Sequence, residues 1–268
     1  MAVSNILQRY GIKEVADVTF YDITETGDPG APVLVLDSLK VTSIEQTAES
    51  AEARGGKGNA KLIVWDFGKE ITVNIEDALF SPKSLSIMMA DGRVTETTST
   101  YITKSARVVA TDNSQPKIML DNREIDSTEV SGLKFYEAKA DNVGLTETTT
   151  FVKGNVYIAA WEHPVAAKTT ITIKPDSFPG TYYVTGDTMI RSERTGKDEY
   201  FQFVIPKAKM TAEQTISLEA EGDPTTFNMS LQVLRSENGN MVQFIKYEFA
   251  EESAGKDTDG FVDSLPTA

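Results

Sequence analysis

The chain has 268 residues, of which 40% are apolar and 25% charged, and its formal net charge at pH 7 is −14. This length fits one large all-β domain or two smaller ones, and so acidic a surface disfavours tight binding to nucleic acid or to anionic membranes. The absence of cysteine excludes disulfides and thiolate chemistry, and a single histidine, His163, excludes a zinc site built from several imidazoles of one chain.

The N-terminal segment MAVSNILQRYGIKE is polar and contains no apolar signal core. The longest apolar runs of the chain, VYIAAW and LSIMMA, are far too short to span a bilayer. We therefore expect synthesis and folding in a cytoplasm, without export by a signal peptide.

Alternating apolar and polar residues predict antiparallel β-strands along most of the chain. In EITVNIE, for example, Ile71, Val73 and Ile75 share one face of the predicted strand. The same pattern holds for TFNMSLQVL and EYFQFVI. Further strands are predicted at VADVTFYD, PVLVLD, LKVTSIE, AKLIVWD, STYITKSARVVA, TTTFVKGNVYIAAW, KTTITIK, TISLEAE and MVQFIKYEF.

One helix is predicted in the segment FSPKSLSIMMADG. Ser81 is its candidate N-cap, Pro82 occupies the first helical position, and Gly92 follows the apolar run. We expect the helix at Pro82 to Met89 to turn three side chains toward the sheets, namely Leu85, Met88 and Met89.

The glycine-rich segment AEARGGKGNAK, residues 51–61, separates two predicted strands. It does not match a phosphate-binding P-loop, because Lys57 is followed by Gly58 and Asn59 and a strand comes next. The interval from Gln46 to Lys61 is long for a hairpin connection, and its first half is acidic while its second half is basic. Two interpretations remain: an arm that contacts a neighbouring subunit, or a floppy exposed hairpin tip.

The chain shows no convincing catalytic, metal or cofactor motif. DTDGFVD near the C-terminus lacks the ligand spacing and closing helix of an EF-hand. His163 is interpreted as a structural residue at a strand end, and no carboxylate pair stands out among the 40 acidic residues. Trp65 and Trp161 lie inside apolar strand patterns and are predicted to be core residues. Residues 250–268 are predicted to form an acidic, flexible tail.

Two blocks of the sequence resemble the major tail (tail tube) proteins of long-tailed bacteriophages. The first is IEQTAESAEARGGKGNAKLIVWDFGKEITVNIEDALFSPKSLSIMM and the second is VIPKAKMTAEQTISLEAEGDPTTFNMSLQVLRSENGNMVQFIKY. Together they cover about a third of the chain, while the region between about 95 and 195 matches only loosely.

The resemblance implies a mainly β fold, an antiparallel β-sandwich or barrel with one short flanking helix and a long inter-strand arm. It also implies hexameric rings stacked into a tube in the virion tail, which pass genomic DNA without specific binding. The other partners implied are tape measure, tail terminator and baseplate or tail-tip proteins, with assembly in the host cytoplasm and no role for cofactors or membranes. The implied ring-stacking arm, disordered before assembly, comprises Gln46, Glu49, Glu52, Arg54, Gly55, Gly56, Lys57, Gly58, Asn59 and Lys61.

Three other readings of the sequence stay open. One is a decoration, spike or fibre protein with a sugar-binding face of exposed aromatic residues. Another is a carboxylate-based hydrolase, although we expect no enzyme activity. The third is the tube of a contractile injection system of non-phage origin. The main β domain is expected to span residues 1–249, and the middle region, about 95–195, belongs either to the sandwich or to an elaborated outer lobe.

Overall fold

A computed structural model describes residues 8–120, 123–138, 144–211, 216 and 226–249. These residues form fifteen β-strands and one short α-helix, and the strand pairs are antiparallel, so the predicted mainly β fold is confirmed. The strands are β1 (Tyr10–Ile12), β2 (Asp17–Ile23), β3 (Pro29–Leu36), β4 (Leu39–Gly55), β5 (Ala60–Asp77), β6 (Thr95–Val109), β7 (Ile118–Leu120), β8 (Arg123–Ile125), β9 (Ser131–Ala138), β10 (Leu145–Thr148), β11 (Val156–Thr170), β12 (Thr181–Ser192), β13 (Asp198–Met210), β14 (Phe227–Val233) and β15 (Gln243–Tyr247).

The chain divides into two compact units. The first unit comprises Met1–Gly92 and Ile173–Ala268, and the second comprises Arg93–Thr172. Residues 173–195, which the sequence interpretation included in the middle region, therefore fall in the first unit together with β12.

The first unit is organised around a nine-stranded sheet in the order β3-β2-β12-β13-β14-β5-β4, with β1 added beside β12 and β15 beside β13. Its core is formed by the alternating apolar residues of these strands, because each buries every second side chain on the same face. The predicted face of β5 is confirmed, since Ile71, Val73 and Ile75 are all buried. The inward residues of the other strands include Val18, Phe20, Val184, Ile205, Met229 and Leu231.

The predicted helix, α1 (Pro82–Met89), is confirmed with its cap. The Ser81 hydroxyl accepts a hydrogen bond from the Ser84 amide at 3.0 Å, and the Ser84 hydroxyl accepts one from the Ser81 amide at 2.8 Å. This reciprocal pair satisfies two amides that a helix start otherwise leaves unpaired. Leu85, Met88 and Met89 pack on the core as predicted. The sequence interpretation missed the most buried apolar residue of the helix, Ile87.

Several strand predictions differ from the structure. The segment KTTITIK was predicted as a strand of its own, but β11 runs through to Thr170 and no strand follows it before β12. The central strand β12 and the shorter strands β1, β7, β8, β9 and β10 were not predicted. The predicted strand TISLEAE and the predicted acidic tail lie outside the described residues, apart from Ile216.

The second unit has a four-stranded sheet in the order β10-β9-β11-β6 and a separate two-stranded sheet of β7 and β8. Its own core contains Phe135, Tyr157 and Trp161, packed with apolar residues of β6, β7 and β8. The prediction that Trp161 is a core residue is confirmed, because only 2% of it is exposed. His163 lies within β11, opposite Ile102, and not at a strand end as the sequence suggested.

Candidate assembly surface

The segment predicted as an arm is a regular β-hairpin. β4 and β5 pair from Leu39 opposite Asp77 out to Gly55 opposite Ala60, so the ladder continues through the interval that the sequence suggested was a disordered connection. The predicted loop is therefore wrong in its bounds, because β4 continues to Gly55, whereas the disorder before assembly that the resemblance implies stays a prediction. The predicted arm residues divide as follows: Gln46, Glu49, Glu52, Arg54 and Gly55 lie in β4, Gly56, Lys57, Gly58 and Asn59 lie in the turn, and Lys61 lies in β5.

The turn that joins β4 to β5 explains why the segment is rich in glycine. Gly56, Gly58 and Asn59 have positive φ angles of 79°, 87° and 51°. Glycine adopts this left-handed region without strain, and asparagine tolerates it better than most residues. The Asn59 amide donates a hydrogen bond of 3.2 Å to the Gly56 carbonyl, which closes the turn. The glycines therefore allow the chain to reverse direction in a tight turn, and this accounts for them without phosphate binding.

The outer part of this hairpin, residues 46–70, extends past the strands beside it. β14 pairs with β5 only between Thr72 and Asp77, and within the described part of the chain no strand pairs with either edge of the hairpin beyond that point. Nearly all of its residues are exposed. Unpaired strand edges of this length offer amide and carbonyl groups to another chain. We call residues 46–70 the projecting hairpin.

One face of the projecting hairpin carries a cluster of charged residues, and Val64 lies on it as well, opposite Glu52 and 45% exposed. Glu52 receives a hydrogen bond from Arg54 Nε at 2.9 Å and also forms an ion pair with Lys61. Residues directly opposite in an antiparallel ladder share a face, so Asp66 and its partner Ser50 lie on this side as well. The acidic and basic halves of the segment thus meet within the hairpin, and Glu52 neutralises charges that the sequence suggested would be presented to a neighbour.

The other face of the projecting hairpin is apolar. Ile63, Trp65 and Phe67 lie on it, and they are 50%, 53% and 52% exposed. Their partners across the ladder are Ala53, Ala51 and Glu49. Alanine side chains are too short to cover the larger residues opposite them. We call Ile63, Trp65 and Phe67 the apolar stripe.

The apolar stripe corrects the sequence interpretation, which placed Trp65 in the core. The run LIVWDF resembles a core strand because it contains five apolar residues. The signal against that interpretation lies in the facing strand, TAESAEARG, which has no large apolar residue and therefore cannot help to bury a tryptophan. When the side chains of the facing strand are small or charged, they leave the large apolar side chains opposite them exposed to solvent.

A second exposed apolar surface lies on β12, β13 and β15, and the sequence interpretation missed it. Tyr200 stacks on Tyr247 with ring centroids 5.5 Å apart, and Phe249 meets both rings edge-on at 4.8 and 5.4 Å. Met189 is the partner of Tyr200 across the β12-β13 ladder, and Ile245 is two residues from Tyr247 on the same strand face. We call Met189, Tyr200, Ile245, Tyr247 and Phe249 the aromatic patch.

Chemical sites of other kinds are not evident in the described part of the chain. There, no group of three or more His, Asp or Glu side chains is arranged to hold a metal ion. Of the described residues, none belongs to a helix long and apolar enough to cross a membrane.

The fold and these surfaces define a class: mainly antiparallel β-proteins that carry a long exposed hairpin and an exposed apolar patch. A family model described as the YomU/Tube protein family matches residues 10–244. The chain belongs to this family and is a phage tail tube protein, a structural component of the virion tail. Among curated proteins, no relative matches it.

Proposed function

We propose that six copies of this chain form a ring and that the rings stack into a hollow tail tube through which genomic DNA is delivered. The observation that carries this proposal is the projecting hairpin, whose two edges have no strand partner among the described residues and whose apolar stripe is exposed. A monomer gains nothing from an exposed tryptophan flanked by two other large apolar side chains, whereas an assembly removes all three from water. The number six comes from the resemblance to tail tube proteins.

The predicted arm residues, Gln46 to Lys61, keep their proposed role in ring stacking, now as a preformed hairpin. Such a hairpin loses less conformational entropy on association than a disordered segment does. The helix α1 serves the subunit itself in this proposal, because Leu85, Met88 and Met89 face its own core. We propose no catalytic residue, metal or cofactor for this function.

DNA passes through the proposed tube without specific binding. The net charge of −14 per chain supports this part of the proposal, because a wall of the same sign as the phosphate backbone repels it and keeps it mobile. Assembly takes place in the host cytoplasm, and the tape measure, tail terminator and baseplate or tail-tip proteins set the length and the ends of the tube. These partners are proposed on the resemblance to tail tube proteins.

The experiment compares the full chain with a variant whose hairpin is shortened. Glu49 and Phe67 are cross-strand partners, so replacing residues 50–66 by a tight Asn-Gly turn leaves the remaining ladder in register. Negative-stain electron microscopy and light scattering of concentrated protein should show stacked rings or tubes for the full chain only. The shortened variant should stay folded by circular dichroism and remain unassembled.

The matched control is Lys117→Gln, which changes an exposed ion pair of the second unit and should leave assembly unchanged. A full chain that forms a stable trimer with no tendency to stack contradicts the proposal and favours a fibre or decoration protein. A shortened variant that still assembles contradicts the role of the hairpin.

A further inference from the structure

We propose that the apolar stripe of one copy is buried against the aromatic patch of a second copy, and that the charged face of the hairpin stays in solvent. This inference rests on the proposed function, since the occupant of each surface is another copy of the chain. It names which side of the hairpin makes the contact and which surface receives it.

The first step of the argument concerns the two sides of the hairpin. On the charged side, Glu52 already has two partners of opposite charge, so desolvating it would weaken contacts that exist in the monomer. On the apolar side, Ile63, Trp65 and Phe67 remain about half exposed, and two of the three residues that face them are alanines. Burial therefore favours the apolar side.

The second step concerns the receiving surface. The rings of Tyr200, Tyr247 and Phe249 already contact one another, so little side-chain freedom remains to be lost when a partner covers them. Rigid aromatic residues at the centre of a contact are typical of the positions that dominate binding. An open cleft of about 240 Å³ borders the patch at Met189, but most of its other lining residues are charged, so the apolar rings themselves are the surface that the stripe would cover.

The third step concerns the identity of the occupant. The stripe and the patch are different surfaces of the same unit, so each copy offers one of each. A contact between two different surfaces is head-to-tail, and repetition of it produces a closed ring or an open stack of subunits. Tube formation requires contacts of this type, whereas a contact that pairs two identical surfaces ends at a dimer.

The first measurement uses the two tryptophans as separate reporters. Trp161→Phe leaves Trp65 as the only tryptophan of the chain, and Trp65→Phe leaves only Trp161, which is buried in the second unit. On assembly, the emission of Trp65 should shift to shorter wavelength and its quenching by acrylamide should fall several-fold. The emission of Trp161 should not change. If Trp161→Phe fails to fold, the emission of Trp65 is obtained by subtracting the spectrum of the Trp65→Phe variant from that of the natural chain.

The second measurement exploits the absence of cysteine from the chain. We mix one variant carrying Ile63→Cys with another carrying Ile245→Cys and expose the assembled mixture to a mild oxidant. A disulfide between the two copies is expected. The matched control replaces the neighbouring residue on the opposite side of the hairpin, Val64→Cys, and should crosslink to Ile245→Cys at least several-fold less.

The outcomes separate this inference from the proposed function. If tubes form but acrylamide still quenches Trp65, the apolar stripe is not buried on assembly, and the proposed tube function is unaffected. Protection of Trp65 without the disulfide to position 245, or with an equal yield from position 64, overturns the aromatic patch as the receiving surface. A natural chain that never assembles overturns the proposed function and this inference with it.

Discussion

The ring of Phe203 lies over Gly186, its direct partner across the β12-β13 ladder. A Cβ atom added at position 186 would fall 2.1 Å from two carbons of that ring, which is far closer than non-bonded atoms approach one another. Phe203 is buried in the core of the first unit, and the absence of a side chain at Gly186 makes room for it. This pairing also interrupts the alternating pattern of β12, which is one reason that the strand was not predicted.

Gly186→Ala is expected to destabilise the chain, because the new methyl group forces Phe203 to shift within a packed core. Overpacking of this kind costs about 1–3 kcal/mol. The measurement is the free energy of unfolding by urea. Gly11→Ala is the matched control, since a Cβ added there meets no atom within 4 Å. Equal losses for the two variants would contradict the explanation, and Phe203→Leu should recover part of the loss at position 186.

The two tryptophans should respond differently to truncation. Trp161→Ala opens a cavity in the core of the second unit and should lower the free energy of unfolding of that unit by about 3–5 kcal/mol. Trp65→Ala removes a side chain that is half in solvent and should change the stability of the unassembled chain by only about 0.5 kcal/mol in either direction. Urea unfolding at low protein concentration measures both. A large loss from Trp65→Ala would show that the monomer buries it.

Ser81→Ala tests the cap of α1. The variant removes the hydroxyl that accepts a hydrogen bond from the Ser84 amide and should destabilise the first unit by about 1 kcal/mol. The control is Ser105→Ala, an exposed residue of β6. Thermal unfolding followed by circular dichroism makes the comparison, and an unchanged midpoint for Ser81→Ala would mean that water replaces the cap.

Asp17→Asn is expected to stabilise the chain at neutral pH. Partial burial, with the nearby carboxylates of Asp37 and Asp187, raises the pKa of Asp17 above its ordinary value. The ionised form of Asp17 is therefore disfavoured in the folded state. The gain in stability from Asp17→Asn should be present near pH 7. It should disappear as the pH falls through the raised pKa, because the natural aspartate then becomes protonated as well. Thermal midpoints measured from pH 7 down to acid test this.

The control for Asp17 has the opposite sign. Hydrogen bonds from Arg191 of 2.6 and 2.7 Å lower the pKa of Asp198, an exposed residue. Asp198→Asn should therefore slightly lower the thermal midpoint at neutral pH, and that loss should fade in acid, where the natural carboxylate is protonated as well. Effects of the same sign at both positions would contradict the assignment of their causes.

Excision of the second unit should leave the first unit folded. Thr95 and Thr170 are cross-strand partners, so the two ends of the second unit lie side by side, and each unit has its own core. A chain in which a short Gly-Ser linker joins Gly92 to Ile173 is expected to unfold cooperatively with the stability of the first unit. Urea unfolding and circular dichroism test this, and a variant without cooperative unfolding would contradict the independence of the units.

Local patterns predicted some elements well because local physics decides them. The helix α1 was predicted with its cap, since Ser81, Pro82 and Gly92 act on their own neighbours in the chain. The buried faces of β5 and β14 were predicted because the period of two shows which side of a strand is apolar. The strand β12 was missed, because Gly186 interrupts its alternating pattern. The space that Gly186 leaves is filled by Phe203 from β13, and no local pattern shows this.

The sequence by itself determined the mainly β fold, the position of the helix and the resemblance to tail tube proteins, because periodicity, caps and motifs are properties of neighbouring residues. Only the tertiary structure decided where the apolar strand faces point. Val73 and Trp65 occupy the same strand, β5, yet Val73 is buried and Trp65 is in solvent. The difference is that β14 and the core lie against the inner part of β5 and nothing in the described chain covers the outer part. Burial depends on what packs against a residue, and that is set by strands distant in sequence.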